Sequence, residues 1–143
     1  MKIEIYTSVS GSIFWKGLAR ALVARGFSVE VISVMDEDKY RSQKTFLKNF
    51  LSRLNLYAGM SLRTLRQLRQ KVDQPICRIV TTNPFFLPDL VQRKTPSDAQ
   101  VRVVNFVLDL YPEAMELAGR RLGLKARQKL EAVTSRAIRN CDA

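Results

Sequence analysis

Three short stretches hold the residue types best suited to meet a ligand. Ser10, Gly11 and Ser12 lie between a β-branched, alternating run, Lys2–Thr7, and an apolar-periodic run from Phe14 to Arg25. Small residues there let the chain turn tightly and aim backbone N–H groups from a helix N-terminus, where the dipole favours anions. Asn83 and Pro84 follow a second apolar run, Pro75–Thr82, and Asp109 and Tyr111 follow a third, Val101–Leu108. In an open α/β sheet, ligands sit in the crevice outside the carboxyl ends of the strands, so all three stretches are candidates by position.

Each stretch also has a plainer role. Ser10-Gly11-Ser12 lacks the three glycines of a dinucleotide fingerprint and the Gly-Lys-Ser/Thr of a phosphate-binding loop, so it either binds an anion or only turns the chain. Pro84 fixes its own φ and biases Asn83 away from helix, and the Asn83 side chain either bonds local backbone or faces a ligand. Asp109 is a functional carboxylate or an N-cap for a helix begun by Pro112-Glu113. The chain contains no histidine, which removes the commonest general base and metal ligand. No catalytic residue and no metal site is expected in it. Cys77 and Cys141 read as reduced buried thiols.

These loops need a scaffold, and the periodicities supply one. Val29–Val34 completes a strand–helix–strand unit with Lys2–Thr7 and Phe14–Arg25, and Gly26 sits where a helix ends in the left-handed conformation. From Lys44 to Ala58 the apolar residues mark a helix that Gly59 ends. Ser61 then caps a second helix with Leu62, Leu65, Leu68 and Val72 on its face. Pro88–Arg93 is a short helix and Leu124–Ile138 the last one. The expected architecture is α/β: residues 1–143 form one three-layer domain, a Rossmann-like open parallel sheet with helices on both faces. The chain stops after a helix, where such a fold enters another strand, so it reads as a truncated domain.

Net charge is +11, which calls for an anionic partner. The nine basic residues from Lys39 to Val72 meet no acidic ones. In that segment Lys44, Phe46, Lys48, Phe50, Arg53, Arg63, Arg66 and Arg69 either form the solvated back of a crossover or engage an anionic membrane surface. No apolar run approaches the ~20 residues of a membrane span, and the N-terminus is too polar for a signal peptide. A cytoplasmic location is expected, peripheral at the inner face of the plasma membrane if the basic segment meets lipid.

The sequence resembles the N-terminal half of two-domain, GT-B-fold glycosyltransferases, in particular the retaining family 4 enzymes of bacterial exopolysaccharide and lipid-sugar synthesis. The resemblance rests on Leu18-Ala-Arg-Ala-Leu-Val-Ala-Arg-Gly-Phe-Ser-Val-Glu-Val31, on Thr81-Thr-Asn-Pro-Phe-Phe-Leu-Pro88, and on Phe106-Val-Leu-Asp-Leu-Tyr-Pro-Glu-Ala114 with Ala118-Gly119 and Arg139–Ala143. It implies an acceptor-binding domain for polysaccharide biosynthesis. A nucleotide-sugar donor is then expected on a missing C-terminal domain, and no cofactor in this chain. By the same carry-over Gly11, Ser12, Asn83, Pro84, Asp109 and Tyr111 line the cleft that receives a saccharide or lipid-linked acceptor, and the basic helices meet the membrane. This fragment alone is expected to be inactive. Two positions depart from the family pattern: Ser12 follows Gly11 where many relatives have a second glycine, and Leu108 stands where many have histidine. The alternative is a stand-alone basic α/β module holding nucleic acid or an acidic partner. It has no recognisable nucleic-acid motif to support it, because the aromatics of the basic segment lie on its apolar face and do not interleave with the cations.

Overall fold

The computed structural model describes residues 1–8, 10, 13–35, 50–70, 73–95, 100–108, 112–117, 119 and 122–139, with backbone alone at 50–53, 114 and 115. Four strands, β1 (Lys2–Tyr6), β2 (Ser28–Ile32), β3 (Ile76–Thr81) and β4 (Val101–Phe106), form one sheet in the order β2-β1-β3-β4. Every pairing is parallel. Helices α1 (Ile13–Val23), α2 (Phe50–Leu68), α3 (Leu87–Lys94), α4 (Glu113–Leu117) and α5 (Leu124–Arg139) alternate with the strands. The Rossmann-like α/β architecture expected from the periodicities is the one observed.

The sheet divides two cores. On one face Ile3 and Ile5 pack with Trp15 of α1, flanked by Leu18, Leu22, Val29, Val31, Ile79 and Phe106. On the other, Tyr6, Ile32, Val80 and Val103 meet Met60 and Leu68 of α2 and Leu87 and Val91 of α3. Helix α5 joins this second layer, since Gln92 of α3 and Asn105 of β4 both donate to the Ala137 carbonyl, at 2.8 and 2.7 Å. Buried Asp89 ties the same two helices by accepting from Arg93 and, at 3.3 Å, from Arg136. Gly26 ends the α1 turn at φ +84°, where a Cβ would be strained.

The expected helix pair is a single helix. Residues Phe50–Leu68 run unbroken through Gly59, and Ser61 is no cap: its hydroxyl donates back to the Tyr57 carbonyl at 2.9 Å. A Cβ built at Gly59 meets only Val34 Cγ1, at the ordinary contact distance of 3.7 Å. Gly59→Ala should therefore stabilise the protein by about 0.5–1 kcal/mol through backbone entropy alone, read as a rise in the urea midpoint at constant slope.

The rotation of α2 also differs from the expected stripe. Leu62 is 63% exposed and Leu54 49%, while Met60, Thr64, Gln67 and Leu68 are buried. The sheet beneath dictates this phase, because it presents charged side chains that Gln67 must reach.

Candidate functional site

The strand order places a crevice between β1 and β3. The chain leaves β1 towards β2 and then returns past β1 to build β3, so the two loops diverge at their carboxyl ends. Hydroxyls line that rim: Thr7 and Ser8 after β1, Ser33 after β2, Thr81 and Thr82 at the end of β3, all buried. Backbone bonds tie the loops together. Ser10 N–H donates to the Met35 carbonyl at 3.0 Å, and Thr82 N–H to the Phe106 carbonyl at 3.3 Å. Leu108 N–H donates to the Thr82 hydroxyl at 3.0 Å, which draws the end of β4 onto the same rim. Helix α1 starts here and has no acidic residue in its first turn to offset its dipole.

Of the residues expected to line a cleft, Asn83 and Pro84 stand on this rim. Thr81 Oγ1 donates to the Asn83 carbonyl at 3.1 Å, Pro84 is buried and the bond between Asn83 and Pro84 is cis. Phe86 anchors the turn against Tyr57 of α2, with ring centroids 5.8 Å apart. The Asn83 side chain is half-buried, and no hydrogen bond to it is found among the described residues. Gly11, Ser12, Asp109 and Tyr111 lie outside the described residues, although their neighbours Ser10, Ile13 and Leu108 sit at the carboxyl end of the sheet.

The basic segment is placed differently. Lys44, Phe46 and Lys48 lie outside the described residues, as do the side chains of Phe50 and Arg53. Arg63, Arg66 and Arg69 are exposed, on or just past the second half of α2. That helix runs antiparallel to the strands, with Tyr57 near the carboxyl rim and Gln67 over the middle of β1. Twelve residues at 1.5 Å separate Tyr57 from Arg69 by about 18 Å along the axis. The arginines therefore stand towards the amino ends of the strands, away from Asn83.

At that amino end lies a polar cluster that the sequence reading passed over. Glu30, Glu4 and Arg78 stand side by side across β2, β1 and β3. Glu4 and Arg78 are only 2% and 1% exposed. Glu4 Oε1 accepts from Lys2 Nζ at 3.0 Å and Gln67 Nε2 at 3.1 Å. Its Oε2 accepts from Tyr6 Oη at 2.7 Å and Arg78 Nε at 3.0 Å. Glu30 is held by Lys2 at 2.6 Å and Gln67 at 2.9 Å, so one ammonium and one amide bridge two neighbouring carboxylates. Arg78 Nη1 donates on to Thr95 Oγ1 at 2.7 Å. A signal existed in the sequence: one acid and one base, each alone in the middle of an apolar strand.

The protonation of this cluster follows from its contacts. Burial alone would raise the Glu4 carboxyl, but hydrogen bonds from Gln67, Tyr6, Lys2 and Arg78 outweigh it and hold the group below its ordinary 4.5. Burial would lower the Lys2 ammonium, yet its bonds to Glu30 and Glu4 raise it above 10.5. Burial first, and the Glu4 charge second, push the Tyr6 phenol well above 10.0. A raised value means stability is complete below the unfolded pKa and is lost as pH climbs beyond it. Each proton held only in the folded state then removes about 1.4 kcal/mol per pH unit. Above pH 10 the protein should lose stability more steeply than Tyr6→Phe, which keeps the contributions of Lys2 and of the Cys77 thiol, raised by burial; parallel denaturant midpoints for the two would contradict this.

Beside the cluster a cavity of about 130 Å³ opens at the amino ends of β1 and β3, lined by Lys2, Glu4, Gln67, Asp73, Gln74 and Arg78 among others. It has room for about four waters. Its two cations and two carboxylates leave little net field for one sign of ligand.

No family model, curated protein or solved structure matches this chain. The site is therefore defined by its own geometry. Among the described residues no group of histidine, cysteine and carboxylate side chains could hold a metal ion. No helix among them is long and apolar enough to cross a membrane.

Proposed function

We propose that this chain is the acceptor-binding half of a glycosyltransferase, one that moves a sugar from a nucleotide-sugar to a saccharide or lipid-linked acceptor. The observation that carries the reading is the β1/β3 crevice, where Ser8, Ser10, Asn83 and the start of α1 meet at the carboxyl end of a parallel sheet. Hydroxyls, an amide and a helix N-terminus suit a sugar or a phosphate on a lipid carrier. The resemblance of the three sequence stretches to the N-terminal half of family 4 enzymes supports the same assignment. The donor belongs to a second lobe, because stabilising a departing nucleotide diphosphate takes preorganised groups on both sides of a cleft.

In this reading the exposed arginines of α2, with Leu54 and Leu62 exposed on the same helix, rest against anionic lipid and keep the chain beside a membrane-borne acceptor.

The test is an amide NMR titration of the whole chain with three probes: a short-chain prenyl-phosphate sugar, a nucleotide-sugar and a single-stranded oligonucleotide. The prenyl-phosphate sugar should shift the amides of Ser8, Ser10, Asn83 and Leu108, and Asn83→Ala should weaken its binding about tenfold, or about 1.4 kcal/mol. The nucleotide-sugar alone should leave these amides in place. Saturable binding of the oligonucleotide, with no response to the prenyl-phosphate sugar, would replace the transferase reading with the basic-module one.

A further inference from the structure

The cavity at the amino ends of β1 and β3 has the sheet as its floor. Lys2 and Glu4 of β1 stand beside Ile76 and Arg78 of β3, and all four line it. Gln67 and Gln70, at the end of α2, and Asp73 and Gln74, just before β3, complete the lining. Thr95, which closes α3, holds Arg78 from the other side.

The floor's hydrogen bonds are only partly spent. Glu4 accepts from Lys2, Gln67, Tyr6 and Arg78, which fills the roughly four lone-pair sites of a carboxylate. The cations keep donors in hand. Arg78, 1% exposed, uses Nε on Glu4 and Nη1 on Thr95, and no acceptor faces its Nη2 among the described residues. Lys2 shares its ammonium between Glu4 and Glu30, which leaves a further N–H. A buried guanidinium leaves N–H groups unused only at a cost, and the cavity is the space in which Nη2 can meet an acceptor. Two cationic donors gathered on one side suit a carboxylate.

Charge balance decides the rest of the guest. In the lining, Lys2 and Arg78 are matched by Glu4 and Asp73, so a bare anion would bring a charge that nothing offsets. Asp73 is exposed and has no ion pair or hydrogen bond among the described residues. The last turns of α2 and α3 also end here and aim carbonyls towards this end of the sheet. These are acceptors for a cationic group. We infer that the cavity binds a small zwitterion, a free α-amino acid whose carboxylate lies on Arg78 and Lys2 and whose ammonium meets Asp73. A volume of about 130 Å³ limits the guest to about six non-hydrogen atoms, the size of alanine, since benzene fits an apolar cavity of ~150 Å³. The site lies at the opposite end of the sheet from Asn83 and does not depend on the transferase reading.

The experiment is an NMR titration of the whole chain at fixed pH and ionic strength, read at the Arg78 Nε–H resonance and the amides of Glu4 and Ile76. The probes are L-alanine, L-lactate, L-alaninamide and glycerol. L-Lactate replaces the ammonium by a hydroxyl, L-alaninamide replaces the carboxylate by an amide, and glycerol is an uncharged guest of similar size. L-Alanine should shift the resonances saturably with a Kd on the order of 1 mM, and the other three should bind at least ~10-fold more weakly. Asp73→Asn, at an exposed position, should weaken L-alanine binding about tenfold without weakening the residual response to L-lactate. Absence of a saturable response to L-alanine would mark the cavity as hydrated only and overturn the inference. An equal response to L-lactate, L-alaninamide or glycerol would overturn it too, as would an Asp73→Asn variant that binds L-alanine like the wild type.

Discussion

Glu4→Ala should lower folding stability by about 3–5 kcal/mol, a large share of the ~5–15 kcal/mol that holds a domain of this size together. The loss does not measure the worth of the Glu4–Arg78 attraction. It arises because Arg78, 1% exposed and fixed between the sheet and α3, is left charged with Thr95 as its one remaining side-chain partner among the described residues. Tyr6 loses its acceptor at the same time, whereas Lys2 and Gln67 keep Glu30. The double change Glu4→Leu with Arg78→Met should recover more than half of the loss, since a well-packed apolar pair can replace a buried ion pair at little cost. Urea midpoints of the wild type, both single variants and the double variant form the necessary cycle. Single variants no more than ~1 kcal/mol below wild type would show that the cluster is hydrated through the adjoining cavity.

Trp15→Ala should cost a comparable ~3–5 kcal/mol, for a different reason. Trp15 is the buried residue of α1 and lies between Ile3, Ile5 and the aromatic edge of the sheet. Its ring meets Phe14 at 4.7 Å and 83°, and Phe106 at 5.4 Å and 73°, both edge-to-face. Truncation removes these contacts and the anchor by which α1 holds its face of the sheet, with few larger side chains above to collapse into the space. Phe14→Ala, at a half-exposed ring, should cost about 1 kcal/mol or less. Far-UV circular dichroism must follow the transition, because Trp15→Ala also removes the sole tryptophan. Equal losses at the two positions would mean that the ring cluster, and not the seat of Trp15 on β1, carries the energy.

The strands could be read from the chain because each is a short β-branched run that a parallel sheet buries on both sides. The turn at Gly26 was legible too, since its positive φ is a local property. What the sequence concealed were the decisions made across long separations. Gly59 and Ser61 look like punctuation, yet the helix runs through them because its packing onto the sheet outweighs two weak local preferences. Leu62 looks like core and is exposed, because α2 is rotated to bring Gln67 onto Glu4 and Glu30. Such a phase cannot be read from hydrophobicity when the surface beneath is itself charged. For the candidate site, Asn83 and Pro84 fall on the rim where the strand ends meet, and Arg63, Arg66 and Arg69 on or just past the far half of α2. Gly11, Ser12, Asp109 and Tyr111 lie outside the described residues.

The row Glu30–Glu4–Arg78 bears on how the sheet finds its alignment. Sliding β3 by two residues along β1 preserves the inward and outward faces and the ladder pattern of the residues still paired, so apolar packing tolerates the error far better than a one-residue slip. The slip would set Glu4, still paired with Lys2, beside Ile76 or Val80 and carry the Arg78 guanidinium away from its carboxylate. Only the observed alignment neutralises Arg78, which makes the pair a proofreading device between segments 74 residues apart in the chain.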